Sequence, residues 1–281
     1  VVTMTTTFSD FLQKLTPSLA IKSIRFATSP DALSFRASYG EGKDHVEKEY
    51  NSLSNFKIEM DKVWSRFSPE SVPQLDISVG DPDENQNQLF LKYIREKLKA
   101  VKSPLQVNIF IMRSVKEKEV MEVLQLLDPD SVAVIRISKP DTDNRQNLFE
   151  VKQISKLPQW KNAKGVIIMG LKMEADLSTF FHFENVKIKV EKVTLDGFCE
   201  LKEEFFTKNH MRTFEVHFAE FENAELYLKS MFKTPANKTK DRTEWNIQMA
   251  YSLARITVVL TDAKFMMTKV SANDDEEDED S

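Results

Sequence analysis

The sequence predicts an α/β fold, specifically a leucine-rich-repeat-like β-α solenoid with parallel strands, helices on one side, and antiparallel strands at the C-terminal end. Three observations lead there. Short apolar runs of strand length alternate with segments of helical apolar spacing through the middle of the chain. Several of those strands place polar groups at every second residue: Lys187 and Lys189 in "VKIKV", Glu215 and His217 in "FEVHF", Asp76 and Ser78 in "LDISV". The last three strand-like runs follow one another with short gaps. Strands joined through a helix run parallel, and repeated charges on one strand face are costly in a sheet buried on both sides. A doubly wound sheet, which buries both faces, is the alternative. "VIIM" at 166–169, apolar on both sides, fits it.

The elements follow in order. Residues 1–20 form an N-terminal segment expected to be flexible. "IKSIRFA" and "ALSFRAS" read as paired strands, and a long helix is predicted to carry Val46, Tyr50, Leu53, Met60, Val63, Trp64 and Phe67. Strands are then predicted at 75–79, 105–111, 132–137, 166–169, 186–190 and 214–218 from runs of β-branched and aromatic residues. Between them, Leu91, Ile94, Leu98 and Val101, then Val120, Val123, Leu124 and Leu127, then Phe198, Leu201 and Phe205 recur at helical spacing. Asp128-Pro129 stops one helix, while Asp176 and Thr194 are placed to cap two others by accepting backbone N–H bonds. "KTPANKTKDR" reads as a flexible surface loop, and "WNIQMAY", "ARITVVL" and "KFMMTKV" as an antiparallel meander. Residues 21–270 thus read as a single β-α repeat domain, with end units of different design covering its terminal apolar faces.

Composition narrows the function classes. A chain of 281 residues, 41% hydrophobic, is long enough to bury a sizeable core. The seven carboxylates of "DDEEDED" at Asp274–Asp280 exceed the formal net charge of −5, so the rest of the chain is close to neutral. That balance gives no field arguing for nucleic acid or an anionic membrane, and neither is expected as a partner. Residues 271–281 are expected to be a solvated, disordered tail. Cys199 is the single cysteine, which excludes an intramolecular disulfide and fits a cytoplasmic or nuclear location. No apolar run approaches the ~20 residues that cross a bilayer, and the opening residues lack a signal-peptide pattern.

Local motifs for catalysis fail on inspection. Gly165 and Gly170 are followed by Leu171-Lys172, but a phosphate loop needs Gly and Lys adjacent and a flexible stretch between the glycines, where this chain has a strand. His45, His182, His210 and His217 show no metal-binding spacing. No serine sits in a nucleophile elbow. Cys199 is surrounded by Glu200, Glu203 and Glu204, the opposite of the electropositive setting that activates a thiol. No enzyme activity, cofactor or metal is expected. An enzyme with a site assembled from strand-end loops is the second reading, since such a site needs no local motif. For a binding module, strand alternation selects Asp76, Ser78, Asn108, Arg136, Lys187, Lys189, Glu215 and His217 as partner-binding candidates, turned away from the helices.

One stretch is more distinctive. "LPQWKNAKGVIIM", followed by "FFHFENVKIKVEKVTLDGFCELKEEFFTKNHMRTFEVHF", resembles the FTH domain of nematode F-box-associated proteins, most strongly over about 150–221. The motif Gln159, Trp160, Lys161, Asn162, Ala163, Lys164, then Phe180 to Phe183, then Val186, Ile188 and Val190, then the helix through Leu201 and Phe205, occur in the family's order. The resemblance implies a region that binds a protein target, in proteins where an N-terminal F-box recruits the Skp adaptor of a cullin-type ubiquitin ligase. "FSDFLQKLTPSLA" is too short for an F-box and lacks its leucine-proline opening, so a Skp-type partner is expected only if an F-box lies upstream. Ile154, Leu157, Trp160 and Ala163 recur at three-residue steps, which predicts one side of a short helix facing the sheet, with Trp160 as a core anchor and the lysines solvated.

Overall fold

The structure, a computed structural model, describes residues 7–15, 20–39, 44–66, 71–80, 82–140, 148–221, 227–228, 230, 232, 235–248 and 255–270. The acidic string and Phe67 lie outside them. Within the range read from sequence as one domain, the chain divides into two compact units, residues 1–163 and 164–281.

The first unit opens with α1 (Phe8–Lys14), inside the segment expected to be flexible. Thr7 caps it, and Phe8 and Phe11 both place their rings 6.0 Å from that of Phe35. β1 (Ile21–Thr28), β2 (Leu33–Tyr39) and β3 (Asp44–Tyr50) then form an antiparallel ribbon. The third strand corrects the expected long helix. Val46 and Tyr50 belong to β3, and α2 (Leu53–Arg66) begins only after the Asn51–Ser52 corner. "DHVEKEY" is rich in helix formers, but pairing along β2 (Ala37 with Val46, Phe35 with Lys48) outweighs propensity.

β4 (Ser71–Val79), α3 (Glu84–Ala100), β5 (Gln106–Arg113), α4 (Glu117–Leu124) and β6 (Val134–Ser138) complete the sheet in the order β3-β2-β1-β4-β5-β6. β1, β4, β5 and β6 are parallel and advance in one direction. Ile24, Leu75, Phe110 and Ile135 share one register row, and Phe26, Ile77, Met112 and Ile137 the next; all are buried. This is the helix-covered face: the Phe56 ring of α2 lies 6.4 Å from Phe26 and 5.7 Å from Phe90 of α3. Burial slips phase at the start of β4 and β5, where Val72 and Val107 are buried three residues before Leu75 and Phe110. Pro73 cannot donate to the ladder, and the slip centres on it.

β7 (Leu148–Phe149), a 3₁₀ turn at Ile154–Lys156 and α5 (Pro158–Asn162) close this unit. The single helical side predicted for Ile154 to Ala163 is corrected to two short helices broken at Leu157, whose extended backbone (φ −68°, ψ 141°) is what a residue preceding proline adopts.

The second unit contains β8 (Gly165–Met169), β9 (Lys172–Met173), a 3₁₀ turn at Leu177–Phe180, β10 (Asn185–Lys192), α6 (Leu195–Thr207) and β11 (Thr213–Glu220). Asp176 and Thr194 cap as predicted, accepting from Ser178 N at 2.9 Å and Gly197 N at 3.1 Å. β12 (Asn237–Lys238), β13 (Thr243–Gln248), β14 (Arg255–Thr261) and β15 (Lys264–Val270) follow. The order is β8-β10-β11-β15-β14-β13-β12, parallel through β11 and antiparallel beyond it. The predicted meander is present. The loop expected before it is instead a hairpin whose arm β12 pairs with β13, closed by Thr239 N to Arg242 O at 2.8 Å. Val166, Val186, Phe214, Met267, Val258 and Trp245 form one buried row. Phe198 of α6 meets Phe265 on that face at 5.2 Å. The fold is mixed α/β with parallel and antiparallel strands.

Candidate functional site

Each unit carries charged and polar residues, interspersed with apolar ones, on the sheet face opposite its apolar core. In the first unit one row across β2, β1, β4, β5 and β6 reads Arg36, Arg25, Asp76, Ile111, Arg136, and the next reads Ser34, Ala27, Ser78, Arg113, Ser138. Asp76 lies between two arginines: Arg113 Nη1 donates to Oδ1 at 2.5 Å, and Arg25 Nε is 3.8 Å from Oδ2. Asp76 is 5% exposed and Ser78 is also buried. These two candidates therefore lie on the expected face but beneath longer side chains, and a partner meets Arg25 and Arg113 first. Arg136 is exposed and makes no ion pair among the described residues. Asn108 is exposed at the start of β5, ahead of the phase slip.

In the second unit the corresponding row runs Ile167, Lys187, Glu215, Met266, Val259, Glu244. Glu215 is its centre. His217 Nε2 bonds its Oε1 at 2.6 Å, and Lys187 Nζ and Lys264 Nζ are 3.3 and 3.6 Å away. Burial alone would push the Glu215 carboxyl up; the His217 hydrogen bond and the two lysine charges overcome it and hold the group below the ordinary carboxylate range. Lys189 is exposed in the next row beside His217, which is half-buried. Four sequence candidates, Lys187, Lys189, Glu215 and His217, are thus brought together. Arg25, Arg113 and Lys264 were missed. Their signal is register, because each stands beside a candidate on a neighbouring strand, and one sequence does not specify register.

The tryptophan motif combines buried residues with exposed lysines. Trp160 is 1% exposed and Ala163 is buried. Buried Gln159 donates Nε2 to Leu127 O at 2.7 Å, and Asn162 donates Nδ2 to Asp130 Oδ1 at 2.9 Å, tying the motif to the turn after α4. Glu117 adds a carboxylate cap, its Oε1 accepting from Gln153 N at 2.5 Å and Ile154 N at 2.9 Å. Lys161 and Lys164 are exposed. Cys199 is half-buried. Among the described residues no three His, Cys, Asp or Glu side chains gather to hold a metal, and no helix is long and apolar enough to cross a membrane.

The class defined by this geometry is an α/β protein whose charged groups are displayed on sheet faces. Its family is shown directly: the FTH domain profile matches residues 88–235, more than half of the chain, so the chain belongs to the FTH domain family. That match contains the tryptophan motif and six of the eight candidate residues, with Asp76 and Ser78 outside it. No curated protein and no solved structure matches the chain.

Proposed function

We propose that this chain is a non-catalytic protein-recognition module whose polar sheet faces hold a protein target. On this reading it is the substrate-recognition part of an F-box/cullin-type ligase adaptor acting in the cytoplasm or nucleus. The carrying observation is the network of Lys187, Glu215, His217 and Lys264 on strand positions that a rigid core locks in place. Charges held in fixed register favour partner choice and association rate more than raw affinity, which suits selection of one target among many. A solenoid-like β-α stack with one-sided helix cover belongs to the same proposal. It is supported by the parallel strands, which advance in one direction as β1-β4-β5-β6 in the first unit and β8-β10-β11 in the second, and by the buried apolar rows opposite the charged ones.

A second reading, an enzyme, draws on the His217–Glu215 pair, since a carboxylate orienting a histidine is half of an acid-base site. Lys187 and Lys264 on the same carboxylate favour a saturated ion-pair network instead. The test is charge reversal: Lys187→Glu with Lys189→Glu, and separately Arg136→Glu, compared with wild type in pull-downs from cell extract with thermal melts alongside. The expected outcome is loss of a specific partner by variants that still fold cooperatively, with the melting temperature unchanged in Arg136→Glu and lowered in the double variant, where Lys187→Glu sets a second carboxylate beside Glu215. Retention of every partner by both variants refutes the sheet-face assignment.

A further inference from the structure

A second surface in the first unit has no role in the sheet-face reading. The β1–β2 turn, held by Ser29 N to Ala32 O at 2.8 Å, faces the Asn51–Ser52 corner that starts α2. Two cavities of about 570 and 520 Å³ open there, and they share Asp31, Ala32 and Asn51 as walls, forming one groove. Two features point to an occupant. Ile58 (57% exposed) lines the first cavity and Leu89 (46%) the second, and these are two of the three exposed large hydrophobic residues among the described residues. The charge is acidic: Asp31 and Glu49 make no ion pair among the described residues, while the one lining lysine, Lys48, is already engaged by Glu59 at 3.6 Å and lies over the Phe8 and Tyr50 rings.

We propose that this groove is a peptide-docking site for a short extended segment of a partner protein carrying a basic side chain between two apolar ones. The apolar residues cover Ile58 and Leu89, removing solvated hydrocarbon from water. The basic residue lies against Asp31, which both cavities share, and Glu49 of the first cavity. Exposed Asn55 and Gln86 offer amides to the remaining backbone.

The experiment is selection of a phage-displayed random-peptide library on the full chain, followed by affinity measurement with the synthesised winners. Enriched peptides are expected to carry Lys or Arg flanked by Leu, Ile or Phe. Affinity should fall by about tenfold or more in Asp31→Lys and in Ile58→Ser with Leu89→Ser, and hold in Ile58→Leu. Both apolar positions are exposed, so the variants should fold. Wild-type chemical-shift changes on adding the peptide, expected around Asp31, Asn51, Ile58 and Leu89, locate the site without any variant. No enrichment, enrichment of acidic peptides, or shifts confined to other residues overturns the proposal. Lys187→Glu with Lys189→Glu should leave this binding unchanged, so failure here and failure of the sheet-face reading are separately visible.

Discussion

Replacing Trp160 with alanine gives the most direct test of how the FTH motif works. The indole is 1% exposed and among the largest fully buried side chains, and its chain neighbours are anchored by the Gln159 bond to Leu127 O and the Asn162 bond to Asp130. Those anchors resist collapse, so the site cannot relax to fill the space left behind, and the loss should fall within the range of ~3–5 kcal/mol for such truncations. For a unit of this length each kcal/mol lowers the melting temperature by about 2–4 °C, which gives a drop of about 6–20 °C. Thermal melting and urea denaturation of the full chain measure it, and Trp160→Phe, which restores part of the volume, should recover part of the loss. An unchanged melting temperature in Trp160→Ala together with loss of partner binding would show that the indole is a contact residue and refute its role as a core anchor.

Further outcomes follow from named contacts. Thr194→Ala removes the acceptor for Gly197 N and should cost about 1 kcal/mol, measured by urea denaturation, with Thr194→Ser restoring most of it. Asp76→Ala leaves Arg113 and Arg25 facing each other without their shared carboxylate; both are partly solvated, so the cost is about 2 kcal/mol, between the values for exposed and buried pairs. Since the folded-state pKa of Glu215 is depressed, the stability it contributes is complete above the ordinary value of 4.5 and is lost as pH falls through the lower, folded-state range. Glu215→Gln should therefore narrow its stability gap to wild type on acidification below that value, and a gap independent of pH would contradict the network.

How much was legible in the sequence differs by element. Spacing alone found the helices that bury Leu91, Val120 and Phe198, because a 3.6-residue period is written locally. The caps at Asp176 and Thr194 were legible for the same reason, each resting on one side chain and a backbone N–H two or three residues away. The third strand was not. Lys48 and Glu49 carry helix propensity, and only the presence of β2 alongside offers their backbone a ladder to join.

The candidate surface divides along the same line. Alternation within a strand fixed the side of Lys187, Glu215 and His217, since a pleated backbone reverses direction at every residue. What the tertiary structure decided is which residues meet. Register across β10, β11 and β15 brought Lys264 to Glu215, and register across β1, β4 and β5 buried Asp76 between Arg25 and Arg113. Local spacing is a property of one segment and can be read from it. Register is settled by packing between segments far apart in the chain, where the free energy of burying a whole row outweighs the preference of any one residue.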